Sequence, residues 1–109
     1  MLPDTLAQLE KRIAEAGVRE EARQELLALV TQLKTETAEL AKTHGDAAHS
    51  IAGFSQLSAH EATRATPNPT LTQHALDGLA ASVRGFEQSH PQLVAVVNRF
   101  CSALADLGI

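Results

Sequence analysis

Histidine has the widest chemical range of any residue type in this chain, and it occurs five times. His44, Asp46 and His49 fall within six residues of one another, and His60-Glu61 follows further along. His49 and His60 are eleven residues apart, about three helical turns, so a helix through them places both on one face. Imidazoles joined by a carboxylate in this way suit zinc or nickel. His44, Asp46, His49 and His60 are therefore the metal-ligand candidates. Their spacing departs from His-Glu-x-x-His, and His44 directly precedes a glycine. Solvated polar residues on a weakly amphipathic helix account for them more simply, so neither a metal nor a cofactor is expected.

Two further residues have reactive side chains. His90 stands before Pro91, with Glu87 and Ser89 just upstream. An imidazole there could transfer protons if a partner were held within hydrogen-bond reach. Adjacency in sequence is not that geometry, and a turn residue bonding local backbone is the expected role. Cys101 lies on an apolar segment three residues before Leu104. A reactive thiolate needs a cationic neighbour or a helix N-terminus, and Arg99 falls on another face. Cys101 is expected to pack as a small hydrophobe. No catalytic residue is assigned, and an enzyme is not expected.

The remaining chemistry is excluded by pattern and composition. The six glycines, at 17, 45, 53, 78, 85 and 108, form no Gly-x-Gly cluster that could cradle a phosphate. Lys11, Arg12, Arg19 and Arg23 are interleaved with Glu10, Glu15, Glu20, Glu21 and Glu25, a mixed-charge solvated face. With a net charge of −4 the chain lacks the basic surface of a nucleic-acid module. One cysteine excludes an internal disulfide. The opening Met-Leu-Pro-Asp carries neither a basic nor a long apolar segment, and no apolar run reaches the roughly 18 residues of a membrane span. A cytoplasmic protein without a membrane span is expected.

The 109 residues fit one small domain. Aromatics make up 3%, all of them phenylalanine (Phe54, Phe86, Phe100), so the core must come from Leu, Val, Ile and Ala. That supply favours helices over sheets. Periodicity divides the chain into an N-terminal helical hairpin (1–45), a weak middle helix (46–64), a Thr/Pro linker (65–69) and a C-terminal helical pair (70–109).

Within the hairpin, Thr5 and Gln8 have capping-box spacing ahead of Leu6, Leu9 and Ile13, and Gly17 is placed to end the first helix in a left-handed conformation. A second helix is expected over about 18–44, closed by Gly45. Asp46 is positioned to cap the middle helix, whose Ala47, Ile51, Phe54 and Leu57 are interrupted by Gly53. That helix is expected to be marginal, partly exposed or mobile. Asn68 with Pro69 can start the fourth helix, which carries Leu76, Leu79, Val83 and Phe86. Ser89 and Gln92 have capping-box spacing for the last.

The last helix carries the most informative pattern. Leu93, Val97, Phe100, Leu104 and Leu107 form an unbroken seam, widened by Val94, Val96 and Cys101, with only Arg99 and Asp106 charged between Leu93 and Leu107. A helix this apolar must be covered on several sides, either within one chain or by a second copy.

The segment Gly85-Phe86-Glu87-Gln88-Ser89-His90-Pro91-Gln92-Leu93, then Asn98-Arg99 and the closing Ala105-Asp106-Leu107-Gly108-Ile109, resembles an uncharacterised bacterial family of short helical proteins, domain of unknown function 4404. The N-terminal leucine hairpin is also similar to that family's opening pair of helices. The chain departs from the family in a longer middle, about 43–71, and in having Gly17-Val18 where a polar cap is usual. The resemblance implies an all-α fold and a bacterial source, and no activity. Physically the motif reads as structural: Phe86 anchors a turn, Ser89 caps, His90 bonds locally and Pro91 opens the last helix.

Together these observations predict an all-α antiparallel bundle of four to five helices. They predict a small non-enzymatic interaction or self-association module, with a homodimer as the leading form and the last helix as its main face. The alternative is a metal- or small-ligand-binding module built on the middle histidines.

Overall fold

The computed structural model describes residues 2–107, with side chains from Asp4 onward. Those residues form five helices and no strand: α1 (Leu2–Glu15), α2 (Glu20–Ala41), α3 (Gly45–Ala62), α4 (Pro69–Ser82) and α5 (Pro91–Leu107). The protein is an all-α bundle. Gly108 and Ile109, which close the family-like terminus, lie outside the described residues. Among the described residues, no helix is long and apolar enough to cross a membrane.

The strong apolar stripes fold as their spacing dictates. Leu6, Leu9 and Ile13 are buried on α1, and Leu26, Leu29, Val30, Leu33 and Leu40 on α2. At 22 residues α2 runs about 33 Å, nearly the long dimension of 38 Å, and so sets the length of the bundle. Thr37 fills a fully buried position in this stripe because its hydroxyl donates to the Leu33 carbonyl at 2.7 Å, leaving only its methyl to pack. Lys34 pairs with Glu10 at 2.7 Å between α2 and α1, and the Arg23 guanidinium donates to the Ala16 carbonyl across the turn joining them.

The middle helix is more central than its weak periodicity suggests, although Asp46, His49, Leu57 and His60 on it remain exposed. α3 packs against all four other helices, whereas α1 meets neither α4 nor α5, and α2 does not meet α4. Ala48, Ile51, Ala52, Ser55, Ser58, Ala59 and Ala62 are buried along it. Its weak periodicity arises because most of these residues are small. Alanine and serine present little side chain, so neighbouring backbones approach closely and the helix can be central without being strongly hydrophobic. Ser55 adds no unsatisfied group, since its hydroxyl donates to Ile51 at 2.7 Å. Glu61, 9% exposed, is held by Arg64 at 2.9 Å.

Several helix ends also differ from expectation. α1 begins at Leu2, ahead of Thr5, and α2 is shorter than 18–44. Gly17 does not adopt a left-handed conformation; Gly85 is the residue with positive φ, +95°, among those described. Gly45 opens α3 instead of closing α2, and His44 takes the capping position with no side-chain cap, so Asp46 falls in the first turn. Asn68 caps α4 by accepting from the amides of Thr70 and Leu71 at 3.0 and 3.3 Å, with Pro69 beginning the helix.

Candidate functional site

Two surface loops meet at one end of the bundle. After α2, the Leu40 carbonyl accepts from the amides of Thr43 and His44, at 3.1 and 2.8 Å, and this tight turn carries His44 to the start of α3. After α4, Gly85 with its positive φ reverses the chain, and its amide donates to the Glu87 carboxylate at 2.8 Å. The His90 amide then donates to the Phe86 carbonyl at 2.8 Å, fixing His90 against Pro91.

These turns bring three rings edge to face. Ring centres are 5.4 Å apart for His44 and Phe86, 5.7 Å for Phe86 and His90, and 6.2 Å for His44 and His90. His44 Nδ1 bonds the Thr43 hydroxyl at 2.8 Å and His90 Nδ1 bonds the Ser89 hydroxyl at 2.9 Å. Phe86 and His90 are half-buried, and His44 is exposed.

This pairing was not legible in the histidine spacing, because His44 and His90 are 46 residues apart. A topological signal was available: in an up-and-down bundle the second and fourth connections share an end, and each of these histidines immediately precedes a helix. Ser89, expected to cap α5, instead shares its side-chain hydrogen bond with His90 Nδ1. Glu87 is bound to Gly85. The other middle candidates do not gather: His49 and Asp46 are exposed, and His60 stands 4.0 Å from Glu61. No group of three or more His, Cys, Asp or Glu side chains that could hold an ion occurs among the described residues.

The apolar surplus of α5 is absorbed within one chain. Leu93, Val97, Phe100 and Leu104 are each 0% exposed, and Leu107 is half-buried. These residues are core, so a second copy would not reach the first four.

Cys101 packs half-buried against the same core, and its thiol is pushed up to about 11 by burial, with the Asp77 carboxylate adding to the shift. The folded protein is therefore expected to react with iodoacetamide at pH 8 about a hundredfold more slowly than the denatured chain, whose thiol ionises near 9. Equal rates in the two states would contradict the burial. The raised value favours the neutral thiol in the fold. Its contribution to stability is intact below about pH 9 and is lost as the pH rises toward 11.

Two large hydrophobics stand out from the surface, Leu57 on α3 and Leu71 on α4, each 44% exposed. Their relative placement follows from one contact. The Phe54 ring lies so close over Gly78 that a Cβ there would be 2.5 Å from it. α3 and α4 are joined by a short loop and run antiparallel. Leu57 is one turn beyond Phe54, and Leu71 is about two turns before Gly78. Both leucines therefore lie toward the same end of the α3–α4 seam, next to a half-buried phenylalanine. On the opposite side of α4, a cleft of about 380 Å³ between α4 and α5 is floored by Leu76 and Leu104 and lined by Ala62, Pro67, Pro69 and Leu107, with no ionisable residue. Three neighbouring clefts contain charges: Lys11, Arg12 and Glu15 in one, Arg19, Arg64 and Asp106 in another, Glu25, Arg99 and Asp106 in the third.

Set against protein-family models, curated proteins and solved structures, the chain has no match.

Proposed function

We propose that the protein is a small, non-enzymatic, cytoplasmic helical module that acts by self-association, pairing through the α3–α4 seam. The observation that carries this reading is that Leu57 and Leu71, both exposed, lie toward the same end of the seam registered by Phe54 and Gly78. Single exposed leucines are ordinary, but two at the same end of one seam gain free energy when a partner covers both. A twofold dimer places the strip of one copy on the same strip of the other, apolar against apolar, which is the commonest symmetry of soluble oligomers. The face thus moves from α5 to the seam, because the α5 anchors are enclosed in the monomer. Kinship with the bacterial family of short helical proteins belongs to the same reading and adds no activity to it.

Light scattering over a dilution series is expected to find a dimer at high concentration that dissociates on dilution. The double variant Leu57→Asp, Leu71→Asp is expected to be monomeric throughout, with its melting temperature little changed at concentrations where the native chain is also monomeric. A native chain that stays monomeric to high concentration, or a dimer that survives both substitutions, overturns the proposal.

A further inference from the structure

We infer that the α4–α5 cleft and the arginine-lined cleft beside it form one binding site for a fatty carboxylate, with its hydrocarbon chain along α4 and its head group at Arg19 and Arg64. The site lies on the other side of α4 from Leu57 and Leu71 and does not depend on the proposed dimer.

The two clefts are contiguous. Ala62 at the end of α3, Pro67 in the connection and Leu107 on α5 line both of them. On the α4 side, about 380 Å³ opens over Leu76 and Leu104, and the only polar side chains there are those of Thr72 and Gln73. That volume falls in the range of small-ligand sites, which are apolar with a few placed polar groups. From Leu76 to Pro69 the cleft follows α4 for about 10 Å, so a chain of about eight carbons spans it. Covering the chain removes apolar surface from water on both sides.

Charge selects the head group. The second cleft, about 630 Å³, holds Arg19, Arg64 and Asp106 as its ionisable residues. Two guanidiniums against one carboxylate make it locally positive in a chain whose net charge is −4. The Arg19 side chain makes no ion pair or hydrogen bond among the described residues, so its donors are free. Arg64 commits Nη1 to Glu61 at 2.9 Å and keeps its other donors. A guanidinium fork matches a carboxylate in shape and charge. The trough is thus apolar at one end and cationic at the other, the polarity of a fatty carboxylate. An uncharged alcohol would leave both arginines unused, and an alkylammonium would be repelled by them.

Sodium octanoate titrated into the full chain, followed by backbone amide NMR, tests the assignment. Saturable shifts confined to the residues lining the two clefts are expected. Octanoate should bind about tenfold more tightly than hexanoate, since each buried methylene is worth about threefold. 1-Octanol and octylamine should each bind about tenfold more weakly than octanoate. Arg19→Gln should weaken octanoate binding about tenfold, and Asp106→Asn, which removes the opposing charge, should strengthen it. Ala105 is exposed and lines the apolar cleft, so Ala105→Trp should fill the cleft and abolish binding, with its melting temperature checking the fold. An affinity independent of chain length, octanol binding as tightly as octanoate, or native binding by a folded Ala105→Trp variant would overturn the site.

Discussion

Phe100→Ala is expected to cost about 3–5 kcal/mol of folding stability, the range for removing a fully enclosed aromatic side chain. Phe100 is 0% exposed on α5, a helix that packs against α2, α3 and α4, so no single neighbour can move in to fill the space. A domain of this size is stable by about 5–15 kcal/mol, so the loss is a large part of the whole. Urea denaturation at fixed pH measures it, and a change below about 1 kcal/mol would mean that the core can collapse around the gap. Phe100→Leu keeps most of the volume and should fall near 1 kcal/mol. The contrast between the two variants separates cavity formation from loss of the ring.

Gly78→Ala is the second large effect, and its sign depends on one neighbour. A Cβ at residue 78 would lie 2.5 Å from Cε1 and 2.7 Å from Cδ1 of Phe54, closer than packed atoms approach. Overpacking of this kind costs about 1–3 kcal/mol. Alanine is the better helix former by about 1 kcal/mol, which offsets part of that cost. In a Phe54→Leu background the clash is relieved, and Gly78→Ala should then stabilise by up to about 1 kcal/mol. A double-mutant cycle reads the coupling directly. If Gly78→Ala changed stability equally in both backgrounds, the Phe54–Gly78 contact would be wrong, and with it the register that sets Leu57 and Leu71 on one seam.

The strongly patterned helices were legible from residue types alone. Leu6, Leu9 and Ile13 on α1, the leucines of α2 and the Leu93–Leu104 seam of α5 announce their buried faces because each position carries a large side chain. Asn68-Pro69 announced the start of α4 because capping is local chemistry. The central place of α3 was not legible for the converse reason: small residues give a weak hydrophobic pattern, and Ala48, Ala52, Ser55 and Ala59 are buried all the same. Leu57, counted with the apolar pattern of that helix, stands at the surface. The meeting of His44 with Phe86 and His90 is a property of chain topology, which no window of local sequence contains.

The position of α3 separates two quantities that usually go together. Its run of Gly, Ser, His and Ala gives it modest helical strength of its own, yet every other helix closes a face on it. Both helices of the N-terminal hairpin and both of the C-terminal pair pack on α3, and α2 packs on α5 as well. Neither half is a free-standing foldon, and a cut in the 63–68 connection would leave two fragments each lacking a wall. The protein is therefore expected to open as one cooperative unit, with its slowest-exchanging amides in α3.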